Sequence, residues 1–333
     1  MDMRLFIICH FTGKYSVVKP IVENNFMSKI PAGLLSFSCG GKVLRGFSAT
    51  GHILDVYYQK QKNNMKKLLL ISLLIGLISC SKQSETDSKK DIKTIMAILA
   101  HPDDESAFGQ ILAKYAAEGK EVFLVIAADG RYGVEEHAGI PAGDSLAIVR
   151  KEESICACKT LGIESPIFLG LHDGFGLLNG LGEYFDQTAK IKKKLTQTIQ
   201  EVNPDIIITF GPDGDTGHVD HKGIGDLVTE VILREGWYEK YPLFYLTWPK
   251  EKEVSIPQGQ ITSLNYVDKK YMNIHIKYNE ADRDKLFKSL ACYKSQLTED
   301  DVNNWINAEL KDTTFTTYFR QFTTDKNIRR DFK

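Results

Sequence analysis

No excess of either charge marks this sequence: 42 Lys and Arg stand against 43 Asp and Glu, a net charge of −1 over 333 residues. Without a cationic surplus there is no long-range field to gather a phosphate backbone, so nucleic acid is not an expected partner. Long hydrophobic runs are missing too. The apolar stretch at residues 68–78 falls short of the roughly 20 residues that cross a bilayer. Mean hydropathy is −0.22, which excludes a polytopic membrane protein and leaves only local membrane contact. Cysteine is scarce, six in all without framework spacing, and no internal repeat occurs; a disulfide miniprotein is excluded. What remains is 43% hydrophobic and 26% charged, the balance of a soluble globular chain of one large domain or two ordinary ones.

The short apolar stretch has a recognisable setting. Lys66 and Lys67 precede it, and it closes in Leu77-Ile78-Ser79-Cys80. A cationic start followed by a short apolar core is the pattern of a secretory signal, and residues 77–80 resemble the lipobox of bacterial lipoproteins. The resemblance implies that Cys80 is the lipidated first residue of the mature chain, and that a lipid anchor holds the protein to a membrane of the bacterial cell envelope. On this reading residues 65–80 are the signal and the polar residues 81–91 a linker. Residues 1–64 show no sustained period and are expected to be an over-extended start with no compact domain. Past Cys80 only Cys156, Cys158 and Cys292 remain. Cys156 and Cys158 fall at i and i+2 of a helical pattern and face different ways, so they are expected to be small core residues and not a metal or redox pair.

From residue 92 onward, strand-like runs alternate with helical periods, the signature of a parallel sheet under helices. Residues 95–100, 122–128, 167–169 and 206–210 are the expected strands. Helical spacing follows the first at residues 107–116, with Gly119 as stop, and the second from an Asp144 N-cap to Gly162. A third helix ends at Asn203-Pro204. Residues 92–333 are therefore expected to form a Rossmann-like, open, mostly parallel α/β sheet with helices on both faces. A smaller C-terminal α+β portion follows, with strands near 244–246 and 271–276 and a helix over 282–292. In such sheets ligands sit beyond the carboxyl ends of the strands.

Two loops at those ends carry chemistry. His101-Pro102-Asp103-Asp104-Glu105 follows the first strand directly. Pro at a helix start and acids in a first turn are ordinary, but they do not explain a His beside two Asp. Gly217-His218-Val219-Asp220-His221 follows the fourth strand, and two His at i and i+3 of a helix share a face. His101, Asp104 and His221 make a natural N/N/O set for a divalent ion, Zn²⁺ foremost, with a position left for water or substrate. Asp103 is then placed to act as general base, His218 to donate to an oxyanion or leaving group, and Asp220 to orient one of the imidazoles. His137, His172 and His275 have no comparable setting.

These residues, with Arg150 and Glu153 ahead of Leu161-Gly162, resemble the zinc-dependent PIG-L/LmbE-like N-acetylglucosamine deacetylases over about residues 92–232, with an echo at Lys294-Ser295-Gln296. The resemblance implies a zinc ion on His101, Asp104 and His221, Asp103 as base, and His218 paired with Asp220 as the oxyanion or acid group. It further implies that Arg150 and Asp173 contact substrate; alternatively Arg150 is a helix-surface ion pair with Glu153, and Asp173 part of an Asp-Gly turn. Tyr293 stands where many members have His, and Arg131 where others often carry an acid, and both departures bear on substrate identity. The expected activity is removal of the acetyl group from an N-acetylglucosamine-type sugar or glycoconjugate. An amidase acting on a non-sugar amide and a non-catalytic, glycan-binding envelope lipoprotein are the alternatives, and the presence of Asp103 argues against the latter.

Overall fold

The computed structural model describes residues 91–253, 264–324 and 330, together with strand residues 9–12, 15–18, 37–39 and 42–44. The chain divides into two units, Met1–Ser88 and Lys89–Lys333. In the first, Cys9–Thr12 pairs antiparallel with Tyr15–Val18, and Phe37–Cys39 with Lys42–Leu44. The signal-like segment, Cys80 and residues 81–90 lie outside the described residues. Among the described residues no helix is long and apolar enough to cross a membrane.

The second unit is built on seven strands, β1 (Thr94–Leu99), β2 (Glu121–Ala128), β3 (Ile167–Leu171), β4 (Ile206–Phe210), β5 (Leu243–Thr247), β6 (Ile274–Lys277) and β7 (Thr316–Gln321). They lie in the order β6-β7-β5-β4-β1-β2-β3. β1 to β5 pair in parallel; β7 joins β5 antiparallel, and β6 joins β7 antiparallel. The helices are α1 (Gly109–Ala117), α2 (Asp144–Leu161), α3 (Leu181–Val202), α4 (Val219–Arg234), the single turn α5 (Lys250–Glu253), α6 (Glu280–Leu290) and α7 (Glu299–Leu310). They pack as two groups, α1 and α2 with α6 and α3 with α4, so both faces of the sheet are covered. This is the mostly parallel α/β sheet the alternating runs imply.

β1 takes the centre because it is apolar on both faces. Ile95, Met96, Ala97, Ile98 and Leu99 have no exposed surface, as expected of a strand between two helical layers. α4 lies so close to β4 that a Cβ on Gly225 would come within 2.4 Å of the Phe210 carbonyl oxygen, so only glycine fits that helix position. The chain crosses from β1 to β2 and β3 on one side and later returns to β4 and β5 on the other. The switch point therefore lies between β1 and β4, and a crevice opens there beyond the strands' carboxyl ends. Both loops singled out in the sequence leave the sheet at this point.

Several local expectations are corrected. Asp144 is the first residue of α2 and not its N-cap; Gly143, at φ 116°, takes that place, and the Asp144 carboxylate points outward to Arg131 at 3.1 Å. The first loop does not run straight into a helix: a 3₁₀ turn, Asp104–Ala107, comes before α1. In the C-terminal portion the strand starts at Ile274, because Lys269–Tyr271 forms a 3₁₀ turn, and the helix spans Glu280–Leu290. α7 and β7 have no counterpart in the sequence reading.

Cysteine requires the largest correction. Cys158 is buried as expected, but Cys156 is bonded to Cys292 across 136 residues. The i, i+2 geometry was sound, and it is why Cys156 turns outward to meet α6 while Cys158 enters the core. The bridge joins α2 to the end of α6, just ahead of Tyr293-Lys294-Ser295-Gln296. Closing so long a loop removes much freedom from the unfolded chain, about 2–5 kcal/mol. Cys156→Ser is expected to lower the melting temperature by roughly 5–15 °C in non-reducing buffer. Equal melting of the variant and the wild type would contradict the bridge.

Candidate active site

The first loop is wound around the Asp104 carboxylate. Its Oδ2 accepts hydrogen bonds from the backbone N–H of Ala100 at 3.0 Å and His101 at 2.7 Å, which turns the chain sharply off β1. Asp103 follows at φ 94°, a left-handed conformation that costs a non-glycine residue energy and clusters at functional sites. The second loop ends with His218 as N-cap of α4, its Nδ1 accepting from the Asp220 backbone N–H at 3.1 Å. That cap fixes the first turn and sets His221 on the side facing β1.

The two loops meet. His101 Nε2 lies 3.0 Å from Asp220 Oδ2, and His221 Nε2 lies 3.0 Å from Asp104 Oδ1. The ring centroids of His101 and His221 are 5.4 Å apart, and the His218 ring stands edge-on to His101 at 4.9 Å. Asp220 thus gives its carboxylate to His101 and only its backbone N–H to His218, a correction to the expected His218–Asp220 pairing. His221 stacks flat on Phe210 at 4.2 Å, and its Nδ1 faces the Gly214 carbonyl at 3.2 Å.

These contacts test whether the residues suit a divalent ion. In each ligating imidazole one nitrogen is committed to an oxygen acceptor, Asp220 for His101 and Gly214 for His221, and the other is turned toward Asp104. Metal-bound histidines are held in this way. The ligating atoms of His101, His218 and His221 also lie within 4.8 Å of one another, so His218 borders the same point. The donor set fits a divalent ion of the zinc type.

The electrostatics agree with the geometry. Burial opposes charge on His101, but the Asp104 carboxylate, 3.8 Å from the ring, and the hydrogen bond to Asp220 outweigh it and raise its pKa to about 10. Burial likewise opposes charge on Asp104, yet the His221 and His101 rings hold its pKa below the usual carboxylate range. His218 shifts the other way, lowered by burial and by the two neighbouring imidazoles. A proton on His101 in the metal-free protein must leave when a cation takes its nitrogen. Metal affinity is therefore expected to rise about tenfold per pH unit between about 6 and 9, as zinc titrations by calorimetry at several pH values would show. Affinity independent of pH would argue against His101 as a ligand.

Asp103 sits beside this cluster with 32% of its side chain exposed to the cavity. Burial of its surroundings pushes its pKa up to about 6 against the pull of Arg150. Arg150 itself is 4% exposed. Its guanidinium donates to Asp103 Oδ2 at 2.8 Å, to the Pro102 carbonyl at 2.6 Å and to the Gly130 carbonyl at 3.1 Å. It is not a surface partner of Glu153, and its NH1 and NH2 groups are taken by the protein. The structure makes it the brace of Asp103, where the resemblance implied a substrate contact. Gly130 and Gly133 wrap it so tightly that a Cβ on either would fall 2.5–2.6 Å from its NH1. Asp173 is similarly committed: its two oxygens accept from the backbone N–H of Gly130 and of Tyr132, each at 2.8 Å. It borders the cavity but serves to tie two loops together.

Sequence reading missed the support behind the site. Glu153 accepts from the Ser295 N–H at 2.7 Å and hydroxyl at 2.6 Å, and Gln296 donates to the Gly133 carbonyl at 2.9 Å. The Lys294-Ser295-Gln296 echo is therefore the strap that closes the Arg150 pocket. Tyr293 is fully buried and donates to Glu105 at 2.6 Å, beneath the site, so this departure does not touch the cavity. Burial raises Glu105 to about 8. Arg131 is engaged by Asp129, at 2.8 Å, and by Asp144. Asp215, buried beside His221 and bonded to the Trp248 indole N–H, is not among the residues the sequence singles out. A cavity of about 570 Å³ joins these elements and is lined by His101, Asp103, Asp104, His218 and His221 on one side.

The family model described as PIG-L: GlcNAc-PI de-N-acetylase matches residues 96–232, the stretch from β1 through α4 that carries both loops. The similarity to the PIG-L family thus lies in the region that carries the candidate site. The 1D-myo-inositol 2-acetamido-2-deoxy-alpha-D-glucopyranoside deacetylase of Streptomyces scabiei (strain 87.22) is 32% identical over 151 residues, 38% of this chain and 44% of that protein. The chain spans about half the length of the curated relatives it matches. Among solved structures, the N,N'-diacetylchitobiose deacetylase from Pyrococcus horikoshii superposes with a TM-score of 0.50 at 18% identity, over 77% of this chain and 92% of that one. The 4-carboxy-2-hydroxymuconate hydratase of Pseudomonas putida KT2440 also reaches 0.50, at 14% identity, over 72% and 99%. At such identities the likeness shows the fold alone, and a hydratase on the same scaffold shows that chemistry must be argued from the site. The matched region keeps a carboxylate, Asp103, beside its candidate ligands.

Proposed function

We propose that this chain is a divalent-metal-dependent N-deacetylase that hydrolyses the acetamido group of an N-acetylglucosamine-type sugar to a free amine and acetate. The observation that carries this reading is the convergence of His101, Asp104 and His221 beside a braced, partly exposed Asp103. The deacetylase activity in the names of the family model and its relatives supports it. His101, Asp104 and His221 would hold the ion, with zinc the first choice for their donor set and another divalent metal the alternative. The chemistry such an ion supplies is Lewis acidity, which polarises a carbonyl and acidifies water.

The chain's own residues do the rest. Asp103, pinned by Arg150, takes the proton from the attacking water. Its raised pKa suits that task, because a base near the working pH both accepts and returns a proton readily. His218, with Nδ1 occupied by the Asp220 N–H, presents Nε2 to the developing oxyanion. The proton held by Asp103 then reaches the leaving nitrogen, and the C–N bond breaks. Asp220 acts through His101 and holds that ring in place.

The envelope location and the lipid anchor at Cys80 belong to the same proposal. The Cys156–Cys292 bridge supports them, since disulfides persist in oxidising compartments. The test is amine release from a panel of N-acetylated sugars and N-acetylated peptides by the purified, metal-loaded protein. Release from sugars alone is the expected result; release from peptides alone would favour the amidase, and release from neither a binding protein.

A further inference from the structure

Arg150, Glu153 and Cys156 succeed one another at three-residue steps along α2, so each side chain neighbours the next. The segment that follows α6 runs back along them. Cys292 is bonded to Cys156, Ser295 donates its N–H and hydroxyl to Glu153 at 2.7 and 2.6 Å, and Gln296 donates to the carbonyl of Gly133, which helps to wrap Arg150. His137 adds a further tie, its Nε2 lying 3.0 Å from the Lys294 carbonyl. Arg150 in turn holds Asp103 at 2.8 Å. The bridge is the covalent end of a run of contacts that finishes at the candidate base.

Only that end is open to solvent chemistry. Arg150, Glu153 and Ser295 are buried, whereas Cys156 is exposed and Cys292 half-buried. A thiolate can therefore reach the bridge from the Cys156 side without unfolding the domain, and exposed disulfides are the labile, regulatory kind. Cys158, two residues on, is no rival in such an exchange: it is buried, and burial pushes its thiol pKa up.

We propose that the Cys156–Cys292 bridge is a redox latch, which when closed holds the strap over Arg150 and keeps Asp103 aimed, and when opened by a dithiol releases the strap and slows the enzyme. The exchange moves two electrons. One thiolate of the dithiol bonds to the Cys156 sulfur as the S–S bond breaks and Cys292 leaves as a thiolate. The second then displaces Cys156, so that two cysteine thiols take up the dithiol's protons and the dithiol ends as a disulfide. Activity is thereby tied to an oxidising compartment and held down in a reducing one. The inference rests on the deacetylase reading and adds its regulation.

The test follows amine release from an N-acetylated sugar by the metal-loaded full chain while a phosphine reduces the bridge. The phosphine takes oxygen from water as the two thiols form, and it brings no thiolates that would strip the metal. Alkylation and mass spectrometry report the thiols of Cys156 and Cys292, and atomic emission the metal. We expect kcat to fall about tenfold in step with the two thiols, with bound metal unchanged and the rate restored on reoxidation. Cys156→Ser/Cys292→Ser, measured well below its melting temperature, starts at the reduced rate and does not respond to the phosphine. A fully reduced wild type that keeps its rate, a fall that follows loss of metal, or a double variant that starts at the oxidised rate overturns the proposal. If the oxidised protein releases no amine, the deacetylase reading falls by itself. Hydrogen exchange then decides the latch: faster exchange of the Ser295 N–H and of residues 130–133 on reduction sustains it, and unchanged exchange overturns it.

Discussion

Asp103→Asn is expected to lower kcat for deacetylation by about 10²–10⁴ while leaving bound metal unchanged. The amide keeps the size of the side chain and can still accept from Arg150 through its oxygen, so the left-handed turn and the neighbouring ligands stay in place. It cannot take a proton from water at neutral pH. The paired measurements are amine release under saturating substrate and metal content by atomic emission. Activity within about tenfold of wild type would remove the base assignment. A variant that also loses its metal would show that Asp103 shapes the ligand site.

Asp104→Ala has the larger structural consequence. One carboxylate oxygen faces His221 Nε2 at 3.0 Å, and the other holds the backbone N–H of Ala100 and His101. Its removal takes away a ligand and unties the turn that aims His101. Residues behind the ligands typically cost 10–100-fold in metal affinity when changed, and a ligand should cost more, so a loss above about a hundredfold is expected. Asp104→Asn separates the two roles. The amide oxygen can still accept from the backbone, so the variant should fold as the wild type does yet bind metal weakly. Undiminished metal affinity in both variants would rule out Asp104 as a ligand.

The sheet and the position of the site were legible because both follow from strong local patterns. An apolar run such as residues 95–100 has one stable place, the middle of a sheet covered on both faces, and the chain direction then puts His101 at the crevice. The His218/His221 spacing showed which face of α4 carries the imidazoles. What could not be read locally was every contact set by tertiary packing. Arg150 looks like a helix-surface cation until Gly130 and Gly133 fold over it. Asp220 lies within two residues of both His218 and His221, yet its carboxylate reaches across to His101, 119 residues away. Cys156 found Cys292 and not its neighbour, a pairing that an odd count of three obscured. α7 escaped notice because its cavity face is built from Trp305, Ala308 and Glu309, a mixture that no apolar periodicity announces.

The most direct test of the central claim is stepwise addition of a divalent ion to metal-stripped protein, followed through both binding and amine release from an N-acetylated sugar. If the two loops meet around one ion, activity is absent at the start, rises linearly and levels off at one equivalent, and His221→Ala shows neither binding nor recovery. Full activity in the stripped protein, or recovery in His221→Ala equal to wild type, would contradict it.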